Sequence, residues 1–222
     1  KLFMMHNSSI TASGASNIPY RTEQVNKWAN TTNAISSFDT VSGSGVNRSG
    51  AELIILGWDP DDTHTTNFWE ELADVSWSSG SSIDTGVFTS KKYLWIQGYH
   101  ITGTMSGAYS GLQVGNSTID TGSNYAERYS FNGGTDGTST SASNVFGAVG
   151  IGSDANNRLS YYNMFIINNA STEKLGIAHA VNQDTAGAGN APNRQENVFK
   201  WTNTSNQIDR IQVSRIAGTG DY

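Results

Sequence analysis

The sequence predicts an all-β fold, a jelly-roll-like antiparallel β-sandwich arranged as tandem modules. Three observations predict it. The first is composition. Hydrophobic residues make up 36% and charged residues 14%, yet there are 6 Trp, 9 Tyr and 8 Phe. Disordered chains pair low hydrophobicity with high charge and few aromatics. Here aromatics can fill a thin core while abundant Gly, Ser, Thr and Asn make the corners. The second is spacing: short apolar runs are separated by Gly/Ser/Asn clusters, as in sandwiches.

The third observation is an internal repeat. The segment beginning Lys174-Leu175-Gly176-Ile177 aligns without a gap to the one beginning Lys1-Leu2-Phe3-Met4, at a constant offset of 173 (174 − 1). The matched pairs are His6 and His179, Pro19 and Pro192, Arg21 and Arg194, Glu23 and Glu196, Lys27 and Lys200, Trp28 and Trp201. Residues 1–59 then read as the C-terminal part of one sandwich module and 60–67 as a linker. Residues 68–222 read as a second jelly-roll module lacking its last strand. That strand is the counterpart of Ala51–Gly57, before which the chain ends at Asp221-Tyr222. The chain is expected to be a window on a longer array, with 1–59 packed head to tail on another copy.

Each element has its own signal. Leu2, Met4 and His6 alternate, as do Leu175, Ile177, His179 and Val181, so each set shares one strand face, expected to point inward. Leu53–Leu56 is a continuous apolar run, which suits a strand buried on both faces. Asn67 and Glu70 have capping-box spacing, which predicts a helical turn or two through Leu72. Further strands are expected at Ile83–Thr89, Tyr93–Tyr99, Gly111–Val114, Tyr125–Ser130, Asn144–Ile151, Tyr161–Ile167, Glu196–Trp201 and Ile208–Ile216. Asn132-Gly133-Gly134-Thr135-Asp136-Gly137 predicts a tight turn, because Gly and Asn tolerate positive φ. About eight strands per module favour a jelly roll or a related Greek key.

The chemistry-bearing residues point away from catalysis. Cys is absent, which removes thiol nucleophiles, disulfides and Cys-based zinc sites. Net charge is −6 with no basic run, so no nucleic-acid partner is expected. No apolar stretch approaches the roughly 20 residues of a membrane span. There is no Gly-x-Ser-x-Gly nucleophile motif, and Ser is too abundant for one to stand out as a triad member. His6 and His179 read as hydrogen-bonded core histidines. Glu23 and Glu196, near Arg21, Arg194, Lys27 and Lys200, read as structural ion pairs rather than the paired carboxylates of a glycosidase. Asp59, Asp61 and Asp62 are candidate calcium ligands, although an Asx turn in a linker explains them better. Trp58, Trp69, Trp77 and Trp95 could stack on sugars, but packing is the expected role. No cofactor is expected.

The run Thr185-Ala186-Gly187-Ala188-Gly189-Asn190-Ala191-Pro192-Asn193-Arg194-Gln195-Glu196, with Lys200-Trp201-Thr202-Asn203-Thr204-Ser205, resembles a family of small β-sandwich virion structural proteins of marine tailed phages and archaeal viruses. Asp120-Thr121-Gly122-Ser123-Asn124-Tyr125-Ala126-Glu127-Arg128-Tyr129 carries the same resemblance. It implies a jelly-roll fold and a virion-surface or extracellular location, with no catalytic residues to carry over. The tandem arrangement then favours a fibre, spike or filament. Expected partners are copies of the chain, other virion proteins or a host glycan. The alternatives are a cellular extracellular filament or adhesin subunit, and a carbohydrate-binding module.

Overall fold

The computed structural model describes residues 1–10, 12–37, 69–76, 80–102, 106–149, 158–183 and 186–219. The expected linker, the strand at Leu53–Leu56 and the Asp59, Asp61, Asp62 cluster lie outside the described residues. The described chain is all β and antiparallel, in a sandwich-like arrangement of two sheets with an added hairpin.

The first sheet has six strands. They are β4 (Tyr93–Thr102), β10 (Arg158–Ile167), β11 (Lys174–Asn182), β12 (Asn193–Trp201), β7 (Tyr125–Phe131) and β8 (Gly137–Ala142), in that spatial order. The second contains β3 (Ser82–Asp84), β13 (Arg210–Thr219), β5 (Ser106–Asn116) and β6 (Thr118–Ile119) in order, with β9 (Val145–Phe146) also paired to β5. The hairpin consists of β1 (Leu2–Ser9) and β2 (Tyr20–Lys27).

One apolar core lies between the two sheets. The six-stranded sheet contributes Leu94, Tyr162, Met164, Phe199 and Trp201, and the other sheet contributes Leu112, Val114, Ile211 and Val213. Polar bridges fix the two layers together. The Tyr125 hydroxyl lies 2.9 Å from the Val114 carbonyl and accepts the Val114 N–H at 3.0 Å. Burial raises the pKa of this phenol, so it stays protonated. Asn168, fully buried, accepts the Ile208 N–H at 2.6 Å and donates to the carbonyls of Ile208 and Lys91. Each is a buried polar group with its partners supplied.

Several elements differ from expectation for visible reasons. Ile83–Thr89 shortens to Ser82–Asp84, because Asp84 accepts the Gly86 N–H and Gly86 turns at φ 65°. In the described part of Asn144–Ile151, which ends at 149, the strand is Val145–Phe146, followed by Gly147 at φ 69°. Trp69–Leu72 is not helical. The expected turn joins β7 to β8, with Asn132 at φ 49° and Gly133 at φ 74°.

The alternation in β11 is observed, but its faces are inverted. Gly176, Ala178 and Ala180 face the core, while Leu175, Ile177, His179 and Val181 face outward. The cause is the Phe199 ring, cross-strand from Gly176. A Cβ on Gly176 would lie within 2.1 Å of it. The inner face must be small where this ring crosses it, so the larger residues take the outer face.

Candidate functional site: two like hairpins stacked face to face

The hairpins β1–β2 and β11–β12 are built alike. Leu2 opposes Lys27 and His6 opposes Glu23 in the first; Leu175 opposes Lys200 and His179 opposes Glu196 in the second. Adding 173 to each number of the first register yields the second. The turns agree as well. Gly14 has φ 93° and Gly187 φ 98°, a left-handed conformation that Gly adopts at no steric cost. Their carbonyls accept from the N–H groups of Asn17 and Asn190, each at 3.1 Å. Past each second strand, Asn30 and Asn203 cap a turn by accepting N–H groups two and three residues ahead. The ammoniums of Lys1 and Lys174 bond the carbonyls of Asn30 and Asn203, over the rings of Trp28 and Trp201.

The first hairpin lies on the outer face of the six-stranded sheet, on its own chain. The turn after β1 closes the contact. The Ala12 carbonyl accepts from the Lys200 ammonium at 2.9 Å, and the Gly14 N–H donates to Glu173 Oε1 at 2.6 Å. The Ala15 carbonyl accepts the Ser141 N–H, and the Pro19 carbonyl accepts Arg128 Nε. Lys200, expected near Glu196, instead pairs with Glu173 at 3.0 Å, both side chains buried.

One matched pair meets as a result. The imidazoles of His6 and His179 stack with centroids 4.6 Å apart and planes 23° apart. Around them are two copies of one charge set. Arg21 Nη1 lies 3.7 Å from Glu23 and 3.5 Å from Glu196, and Arg194 Nε lies 3.4 Å from Glu196. Arg21 is anchored by Asp136 at 2.7 Å, which Arg128 shares at 3.2 Å. The expected ion pairs of Glu23 and Glu196 with arginine are thus present. The histidines are not core residues: His179 is exposed and His6 half-buried. Burial, with His179 and Arg21 adding smaller effects, holds the His6 pKa down to about 4, so this ring is neutral at pH 7. One ligating atom each from His6, Glu23 and His179 lie within 4.8 Å of one another.

Other matched pairs diverge in environment. Pro19 is buried at the contact and Pro192 is exposed; Lys27 is exposed and Lys200 buried. Trp201 is buried in the core, whereas Trp28 is 37% exposed. Trp201 Nε1 donates to Asp120 at 2.8 Å.

Beyond the hairpin, the outer face of β4 and β10 carries Trp95, Tyr99, Tyr161 and Phe165, each at least 42% exposed. Trp95 and Phe165 are parallel within 8° at 5.8 Å. Asn163 and Gln97 sit among them, bonded to Trp95 Nε1 and the Tyr161 hydroxyl. Reading Tyr93–Tyr99 and Tyr161–Ile167 as strands already sets Trp95 with Tyr99, and Tyr161 with Phe165, on one face each. What the sequence lacked was the β4–β10 register that sets Trp95 against Phe165 and Tyr99 against Tyr161.

No family model, curated protein or solved structure matches this chain. Among the described residues, no helix is long and apolar enough to cross a membrane.

Proposed function

We propose that this chain is a non-enzymatic structural component of an extended assembly on a virus-particle surface, built from jelly-roll-like modules that repeat every 173 residues. The observation carrying this reading is the stacking of two hairpins with the same register, turn and cap. One surface recognises its own copy, the simplest way to join repeated units. The other face of the first hairpin supports continuation. Phe3, Met5, Tyr20 and Trp28 on it are exposed. Their counterparts on β11–β12 face the sandwich core. That face is the one on which further sandwich strands, from a neighbouring module or a second copy, would sit. The virion location rests on the sequence resemblance; a cellular filament or adhesin would use the same contacts. Electron microscopy of the purified protein, with light scattering, tests the reading. Fibres or regular oligomers are expected, and a folded monomer at high concentration would refute it.

A second reading rests on the β4–β10 face. Parallel aromatic rings with interleaved amides suit stacking on sugar rings, so this face would bind a host glycan during attachment. Glycan-array binding that disappears in Trp95→Ala would support it, and no binding to any glycan would exclude it.

A further inference from the structure

We propose that the two stacked hairpins form a site for a divalent transition-metal ion of the zinc class, with His6, Glu23 and His179 as its protein ligands. The inference stands on side-chain placement and does not depend on the tandem-array reading.

The donor set is the first reason. Two imidazoles and one carboxylate are borderline nitrogen and oxygen donors, which suit zinc. Calcium needs six to eight oxygens and is not served here. Their ligating atoms already lie within 4.8 Å of one another. A zinc ion with ligands at about 2.0–2.2 Å draws such atoms closer by side-chain rotation.

The second reason is the state of His6. Both ring nitrogens are sealed from solvent, and neither has a hydrogen-bond partner. The Glu23 carboxylate is 3.4 Å from Nε2 but not aligned as a hydrogen bond. Sealed polar atoms without partners are costly, and a metal ion satisfies one outright. The third reason is support around the ligands. Arg21 lies beside Glu23 and can orient its carboxylate, while Asp136 and Glu196 offset the guanidinium charge. Outer partners of this kind hold metal ligands in place.

Glu23 and His6 come from one hairpin and His179 from the other, so a bound ion would clamp the hairpin to the sheet. With three protein ligands on the ion, its fourth position would be left for water.

The test uses the full chain, stripped with a chelator and titrated with zinc by calorimetry, with cobalt(II) as a visible-spectrum probe. One ion per chain is expected, with a chelator-reversible rise in Tm. His179→Ala changes an exposed side chain, so its fold can be verified by circular dichroism. It should abolish zinc binding and the Tm rise together, and Glu23→Gln should weaken binding by about tenfold or more. Absence of zinc binding at micromolar concentrations would overturn the proposal. So would binding that His179→Ala and His6→Ala both leave unchanged.

Discussion

Glu127 on β7 and Asn197 on β12 are diagonal neighbours, both buried, with Asn197 Nδ2 donating to Glu127 Oε2 at 2.7 Å. The other carboxylate oxygen accepts the Phe146 N–H at 3.0 Å. No cation contacts this fully buried carboxyl among the described residues. Burial outweighs the two hydrogen bonds and pushes its pKa up to about 7.

Stability should therefore depend on Glu127 between about pH 4.5 and 7. The folded state binds this proton more tightly than the unfolded chain, so the Glu127 contribution is full below that window and lost as pH rises through it. His100, buried and held down to about 4, acts in the opposite sense and weakens the fold as pH falls from 6.5. Glu127→Gln separates the two. Urea melts should show the variant gaining on the native chain from pH 4.5 to 7, by at most on the order of 3 kcal/mol. A difference independent of pH would mean that Glu127 is not protonated in the fold.

Gly176→Ala should destabilise the protein by about 1–3 kcal/mol, because the new methyl would enter the space of the Phe199 ring. Gly189→Ala, with open space around its Cβ, should stay within about 0.5 kcal/mol of the native chain. Chemical denaturation of both variants checks the contrast.

Lys200→Met and Glu173→Gln should each cost about 3 kcal/mol or more, since each strands a buried charge. The double variant should cost less than the sum of the singles. A double-mutant cycle in denaturant supplies the coupling, and additivity would show that the pair is not energetically linked.

Arg21→Ala removes the link from β2 to Asp136 and Glu196 and should loosen the hairpin, at a cost of about 1 kcal/mol for a partly exposed network. The His179 ring resonances should then move toward unstacked values in NMR spectra. Unchanged resonances would show that the turn at Ala12–Pro19 suffices to seat the hairpin.

Short apolar runs bounded by Gly, Ser and Asn made β10 and β12 legible, and period-2 alternation did so for β11. It misassigned the face of β11, since Leu175 and Ile177 look like core residues while Gly176 and Ala178 do not. Only the position of Phe199 decides the matter, and that is a cross-strand fact. β8 went unread because Gly137–Ala142 is a polar sheet edge with no apolar signal. At the site, the sequence repeat paired His6 with His179 as equivalents. Their contact could not be read, because equivalence in sequence carries no information on packing. The partner of Lys200 was missed for the same reason: Glu173 is 27 residues away and in no repeat pair.

The size swap between the hairpins has a consequence for folding. In the first, Phe3 opposes Asn26; in the second, Gly176 opposes Phe199. The bulky ring has changed strands between the two copies. Because the registers agree, β1–β2 is a decoy for the slot between β10 and β7 that β11–β12 fills. Entering that slot would put Phe3, Met5 and Asn7 where only Gly176, Ala178 and Ala180 fit. Divergence on this face thus lets a chain carrying two hairpins of one register sort each into its own place while folding.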